Sequence, residues 1–158
     1  MASSKPKLII VCGLPGTGKT TTARRLAVKI NGVLLRTDEI RRRFSKKRRY
    51  TSKEKQRVYN VMFFRAKRLL QAGKNVVLDG TFAKKKNREL ARKIAKELGV
   101  NFQIIEVICD ENIVKQRISK RFADESEAKF KHYLEHKKIF EPISEKHIII
   151  NTTYPSKL

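Results

Sequence analysis

Gly13-Leu-Pro-Gly16-Thr-Gly18-Lys19-Thr20, entered from the apolar run Leu8–Cys12, decides how the rest of the chain is read. The eight residues satisfy G-x-x-x-x-G-K-[ST], and an apolar strand before and a helix after are the context that motif requires. Glycines let the backbone wind closely enough for successive N–H groups to face phosphate oxygens. The N-terminus of the following helix adds partial positive charge. Lys19 is placed to reach the β- and γ-phosphates of a nucleotide and the Thr20 hydroxyl to hold Mg2+. Pro15, Thr17 and Thr21 complete the expected nucleotide-binding set around Gly13, Gly16 and Gly18.

Outward from the loop, single glycines punctuate an alternation of strands and helices. A helix from about Lys19 to Ile30 closes at Asn31-Gly32, with Gly32 expected in the left-handed position beyond the helix end. Val33–Arg36 reads as a second strand, and a helix from about Lys53 to Ala72 closes at Gly73. Asn75–Leu78 is a third strand. Leu90, Ile94 and Leu98, flanked by Ala91 and Ala95, form a helical stripe ended by Gly99. Phe102–Cys109 is the fourth strand, and two helices lead to a fifth, His147–Asn151. Such alternation implies crossovers and a mostly parallel sheet with helices on both faces. A chain of 158 residues suits one α/β domain over 1–158.

Composition narrows the function classes. Lys and Arg number 38 against 15 Asp and Glu, a net charge of +23. Ion-pair networks need both signs in comparable amounts, so paired surface charge does not explain the excess. The cations are also local. Arg36–Arg68 carries fourteen Lys and Arg against Asp38, Glu39 and Glu54, and Lys84–Lys96 carries seven against Glu89. One sign concentrated in two segments predicts a polyanionic partner, nucleic acid first and anionic lipid second. The longest apolar run is five residues, far short of the ~20 a membrane span needs. No signal peptide is read, and two cysteines make no disulfide framework, so a cytoplasmic, reducing location is expected.

Four motifs together resemble the small P-loop kinases related to the kinase domain of polynucleotide kinases. They are the glycine loop, Arg36-Thr-Asp38-Glu-Ile-Arg41, Val76-Val-Leu-Asp79-Gly-Thr-Phe82 and Val114-Lys-Gln-Arg117-Ile-Ser-Lys-Arg121, and they span nearly the whole chain. Ile139-Phe-Glu-Pro-Ile143 also matches that group. The resemblance implies a five-stranded parallel sheet in the order 2-3-1-4-5 with a small lid at about 117–131. It implies ATP, or another NTP, with Mg2+, and a hydroxyl acceptor on RNA. Asp38 would orient and deprotonate that hydroxyl, and Arg41, one helical turn on, would grip an acceptor phosphate. The competing reading of Asp38 is a helix N-cap before Glu39-Ile40.

Asp79 ends an apolar strand, where an acid meets the Mg2+ shell or the acceptor, the competing reading being a turn-initiating aspartate before Gly80. The sequence Leu78-Asp79-Gly80 resembles adenylate kinases too, but Thr81-Phe82 replaces their aromatic-Pro-Arg. Arg117 and Arg121 share a helical face. The resemblance gives Arg121 the charge on the transferring phosphoryl and Arg117 the nucleotide, the alternative being a solvated basic face. The basic run Lys46, Lys47, Arg48 and Arg49 would meet the acceptor backbone. Tyr50 and Phe82 are the aromatics expected to stack on bases, while Tyr59, Phe63 and Phe64 read as core. His132 and His136 are four apart, but no H-E-x-x-H and no third ligand accompany them.

Two other readings remain: a small-molecule kinase for a metabolite or antibiotic, which the same scaffold hosts, and a nucleotide-dependent RNA-binding module without catalysis. No appended phosphatase or ligase domain is read, and nothing indicates an obligate protein partner.

Overall fold

The computed structural model describes residues 4–44 and 51–154. Five strands, β1 (Lys7–Cys12), β2 (Val33–Arg36), β3 (Val76–Asp79), β4 (Asn101–Ile108) and β5 (Ile148–Asn151), form one sheet in the order β2-β3-β1-β4-β5. Every pairing is parallel. This is the strand order that the resemblance implied, with the glycine loop leaving the central strand. Six helices complete the domain: α1 (Lys19–Lys29), α2 (Thr37–Phe44), α3 (Ser52–Gln71), α4 (Lys85–Leu98), α5 (Glu111–Arg121) and α6 (Ser126–Ile139).

Period-two alternation sends the strand residues to two cores. Leu8, Ile10, Cys12, Val76, Leu78 and Ile104 face α3 and α4. Ile9, Val11, Val77, Ile105 and Val107 face α1, where Ala23 and Ala27 let the helix lie close. Burial on both faces explains why β1 is an unbroken apolar run, each large aliphatic contributing about 1.5–3 kcal/mol. The register carries this alternation into the site. Val11, Asp79 and Arg36 stand side by side on β1, β3 and β2. Asp79 and Arg36 therefore emerge on the α1 face at the carboxyl edge, beside the start of α1.

Five local expectations are corrected. The residue in the left-handed region after α1 is Asn31 (φ 52), not Gly32. Gly32 is instead needed for space, since a Cβ there would come within 3.0 Å of the Asn75 carbonyl oxygen. The α4 stripe is turned: Ala91 and Ala95 are its buried members, and Leu90 is exposed. Phe82 is no base-stacking surface residue. It is fully buried, with φ 49, edge-on to Tyr59 at 4.9 Å, and its N–H donates to the Tyr59 hydroxyl. Arg88, counted with the surface cations of Lys84–Lys96, is 1% exposed. It donates to the Phe82 carbonyl at 2.7 Å and the Glu141 carbonyl at 2.9 Å, pinning 139–143 to the loop after β3. Tyr59 and Phe63 are core residues as expected, while Phe64 is exposed.

Candidate active site

The glycine loop is a backbone structure, and its side-chain vacancies are where the chain passes closest to itself. A Cβ on Gly13 would lie 2.6 Å from the Val107 carbonyl oxygen, and one on Gly16 would lie 3.0 Å from Val114. Gly16 and Gly18 also carry φ of 80° and 87°, the left-handed region that only glycine occupies freely. Thr17 is buried; its hydroxyl donates to the Leu14 carbonyl at 2.8 Å. Gly13 and Thr17 therefore shape the loop, whereas Pro15, Gly16, Gly18, Lys19, Thr20 and Thr21 line the cleft in front of it.

Behind the loop lies a dense polar cluster centred on Asp79, which is 3% exposed. Lys19 Nζ stands 3.6 Å from Asp79 Oδ1. The Thr20 hydroxyl donates to Asp79 Oδ2 at 2.9 Å, and Arg36 Nε donates to the same oxygen at 3.2 Å. A carboxylate this buried is sustained only by such partners. Arg36 reaches further, with NH2 donating to Thr20 Oγ1 at 3.4 Å and NH1 to Glu39 Oε1 at 3.3 Å. Burial disfavours its charge, but the bond to Asp79 and the nearby carboxylates outweigh this and leave its pKa raised. The sequence reading gave Arg36 no role. Strand alternation was the missed signal, since Arg36 lies two residues from the inward Leu34.

Asp38 sits on the first turn of α2, which starts at Thr37, so it is not the residue preceding the helix. Its carboxylate is 60% exposed, with Arg41 NH1 at 3.2 Å and Arg36 NH2 at 3.9 Å. Across the cleft, Arg117 donates to the hydroxyl and carbonyl oxygens of Thr152, whose hydroxyl donates to the Thr17 carbonyl. The loop after β5 is thereby tied to the glycine loop. Thr152 and the exposed Tyr154 line the same cleft. Arg121 is exposed and lines it too. Lys46, Lys47, Arg48, Arg49 and Tyr50 lie outside the described residues.

The cleft is about 1730 Å3 and runs from the glycine loop past Asp38 to α3 and α6. Twelve lysines and arginines but only two carboxylates line it among the described residues. At its far end the rings of His132 and His136 are 4.2 Å apart, with His136 Nδ1 donating to the His132 carbonyl at 3.1 Å. Burial, the partner ring and the Lys55 and Arg41 charges push the His136 pKa down to about 4. The described residues hold no cluster of three or more His, Cys, Asp or Glu suited to a metal. A hydroxyl and one carboxylate at a helix N-terminus nevertheless fit Mg2+, which keeps most of its ligands as water and substrate phosphate.

The strand order, the glycine loop on β1 and the acid at the end of β3 define a P-loop kinase fold. A family model described as an AAA domain matches residues 8–143, and the chain belongs to that family. It is similar to an uncharacterised protein of Mycobacterium tuberculosis, 30% identical over 136 residues. That match takes in 77% of this chain but only 27% of the relative. Among solved structures, a Chloroflexus aurantiacus protein named as a candidate kinase superposes with TM-score 0.78 at 21% identity, covering 99% of this chain and 91% of that one. The APS kinase CysC of Mycobacterium tuberculosis, in complex with AMPPNP and APS, gives 0.75 at 16%, covering 96% and 91%. A chain of the Pnkp1/Rnl/Hen1 RNA repair complex gives 0.63 at 21%, covering 90% and 49%. At these identities the likeness is one of fold, and it takes in an APS kinase and a chain of an RNA repair complex alike. No described helix is long and apolar enough to cross a membrane.

Proposed function

We propose that this chain transfers the γ-phosphoryl group of ATP to a hydroxyl of RNA. The observation that carries the acceptor class is the cleft itself, which joins the glycine loop to Asp38 and whose twelve cations include eight beyond Lys19, Arg36, Arg117 and Arg121. A single phosphate group needs two or three such side chains, whereas a strand crossing the cleft presents one charge per nucleotide.

The residues divide the work. The loop from Gly13 to Thr21 cradles the triphosphate with its amides, and Lys19 leaves Asp79 for the β- and γ-phosphates. Arg117 holds the wall formed by Thr152. Thr20 and Asp79 would hold Mg2+, which with the nucleotide would neutralise charge on its phosphates. Asp38 accepts the proton of the acceptor hydroxyl as that oxygen bonds to the γ-phosphorus and the bond to the leaving ADP oxygen breaks. Arg41 holds an acceptor phosphate, and in doing so releases Asp38 from the ion pair they form here. Arg121, at the end of α5 and free of any carboxylate within the described ion pairs, meets the charge of the transferring group as an arginine supplied in cis. The segment 117–131 contains the end of α5, the short turn Ala123–Glu125 and the start of α6, and acts as the lid.

A small-molecule acceptor is the second reading, favoured by the resemblance in fold to APS kinase and to a Sinorhizobium meliloti gluconokinase. Single-turnover transfer from labelled ATP to bulk tRNA, single-stranded oligonucleotides and a metabolite panel separates the two. Label in RNA supports the proposal. Label only in a metabolite overturns it.

A further inference from the structure

Arg36 makes its contacts to the very oxygens that the metal needs. Thr20 Oγ1 donates to Asp79 Oδ2, and the guanidinium touches both, through NH2 at 3.4 Å and Nε at 3.2 Å. The side chain is 12% exposed, packed at the end of β2 rather than waving in solvent. Two cations, Lys19 and Arg36, therefore flank one buried carboxylate.

We propose that Arg36 is a built-in cation that competes with Mg2+ for the Thr20 and Asp79 oxygens and withdraws from them when the metal binds. It rests on the placement of the metal at Thr20 and Asp79, and not on the identity of the acceptor. A divalent cation and a guanidinium cannot both use the Thr20 and Asp79 oxygens. The lone pairs are shared ones, and like charges at contact distance repel strongly in a site this dry. Arg36 has somewhere to go. NH1 already donates to Glu39 at 3.3 Å, and Asp38 lies 3.9 Å from NH2, so a swing about the side chain keeps the charge paired with α2. The exchange keeps Asp79 neutralised in both states. It also couples the metal to the acceptor side, because an arginine displaced from Asp79 arrives beside Asp38.

The test reads metal binding, with no turnover. Mn2+ is titrated into the nucleotide-free protein and the free ion is followed by paramagnetic resonance. Arg36→Met keeps length and removes charge, and it should bind Mn2+ about tenfold more tightly than the wild type. Glu39→Gln, at a half-exposed position that threatens no core, removes the alternative resting place and should bind Mn2+ several-fold more weakly. Placed on the Arg36→Met background, Glu39→Gln should change nothing further. Unchanged or weaker Mn2+ binding by Arg36→Met overturns the proposal, and so does a Glu39→Gln protein indistinguishable from wild type should Arg36→Met not fold. Metal-free binding of ATP is measured alongside. Its absence in the wild type would sink the glycine-loop reading itself, whereas normal ATP binding with unchanged Mn2+ affinity sinks only the role of Arg36.

Discussion

The two ends of the cleft are built by different means. The nucleotide end is backbone: three glycines, the start of α1 and a loop tied down by Thr17, Thr152 and Arg117. Its parts are close in sequence or joined by short polar links, and its geometry is set before any ligand arrives. The acceptor end is side chains from α2, α3, the start of α4 and α6, elements separated by up to about a hundred residues. Five of them, Arg41, Arg42, Lys55, Lys86 and Lys129, are long and cationic. A preformed cradle suits a constant ligand such as a triphosphate, while flexible charges suit a polymer whose sequence varies.

The largest effect belongs to the cradle. Lys19→Ala should abolish transfer to every acceptor while leaving the thermal unfolding midpoint within a few degrees, because it removes the charge meeting the β- and γ-phosphates. Near-normal turnover would refute the nucleotide end. Asp38→Asn comes next, at about 10²–10⁴-fold in single-turnover rate, the range of general-base assistance. The structure sharpens this variant. Asp38 lies within the first turn of α2 and is largely exposed, so folding stability should be little changed. A stability loss with unchanged turnover would give Asp38 a structural role.

How much of this was readable in the sequence follows the same division. The loop, the strands and Asp79 were legible because local spacing and periodicity dictate them. The strand order was legible only through resemblance, since no local pattern says which strands pair. Side chains whose role depends on distant partners were misjudged. Arg88 counted as one more surface cation because charge patterning is blind to burial. Yet it lies three residues before Ala91 and seven before Ala95, on the buried stripe of α4. Phe82 was misassigned because a polar, basic neighbourhood in sequence says little about which way a residue in a left-handed turn points. Arg36 carried its signal in strand alternation, and that signal points inward only once β2 is known to sit beside β3.

Arg88 provides the intermediate effect, on stability rather than rate. Arg88→Met leaves the carbonyls of Phe82 and Glu141 short of a donor inside the protein, at a cost of about 2–4 kcal/mol in urea unfolding. A loss under about 0.5 kcal/mol would return Arg88 to the surface field. The field itself should yield a smaller and selective effect. Replacing Lys55, Lys84 and Lys86 by Ser should flatten the dependence of log K on log salt for single-stranded RNA by about two units, equally for any sequence. Metal-free ATP binding should stay the same. A wild-type curve flat in salt would end the RNA reading and favour a small acceptor.

The smallest expected effect comes from the histidine pair at the acceptor end. His136 is held neutral by burial, by His132 and by the charges of Lys55 on α3 and Arg41 on α2, which outweigh its bond to the His132 carbonyl. His132 is lowered as well, first by burial and then by Lys55 and Lys129, against Glu135. Because the folded pKa of about 4 for His136 lies below the ordinary histidine value of about 6.5, the unfolded chain binds the proton first as pH falls. The associated stability is therefore fully present above pH ~6.5 and is lost progressively toward pH ~4. His136→Gln should remove part of that slope, so that the wild-type advantage at pH 7.5 narrows or reverses at pH 5 in thermal melts. A polyanion in the acceptor end changes the balance, because its negative charge offsets Lys55 and Arg41 and favours the imidazolium. RNA binding near pH 5.5 should then take up protons, seen as a buffer-dependent heat in calorimetry, and His132→Gln with His136→Gln should suppress it. A neutral sugar placed in the same cleft supplies no such charge and takes up none, so the proton count at binding distinguishes RNA from an uncharged small acceptor without any phosphoryl transfer.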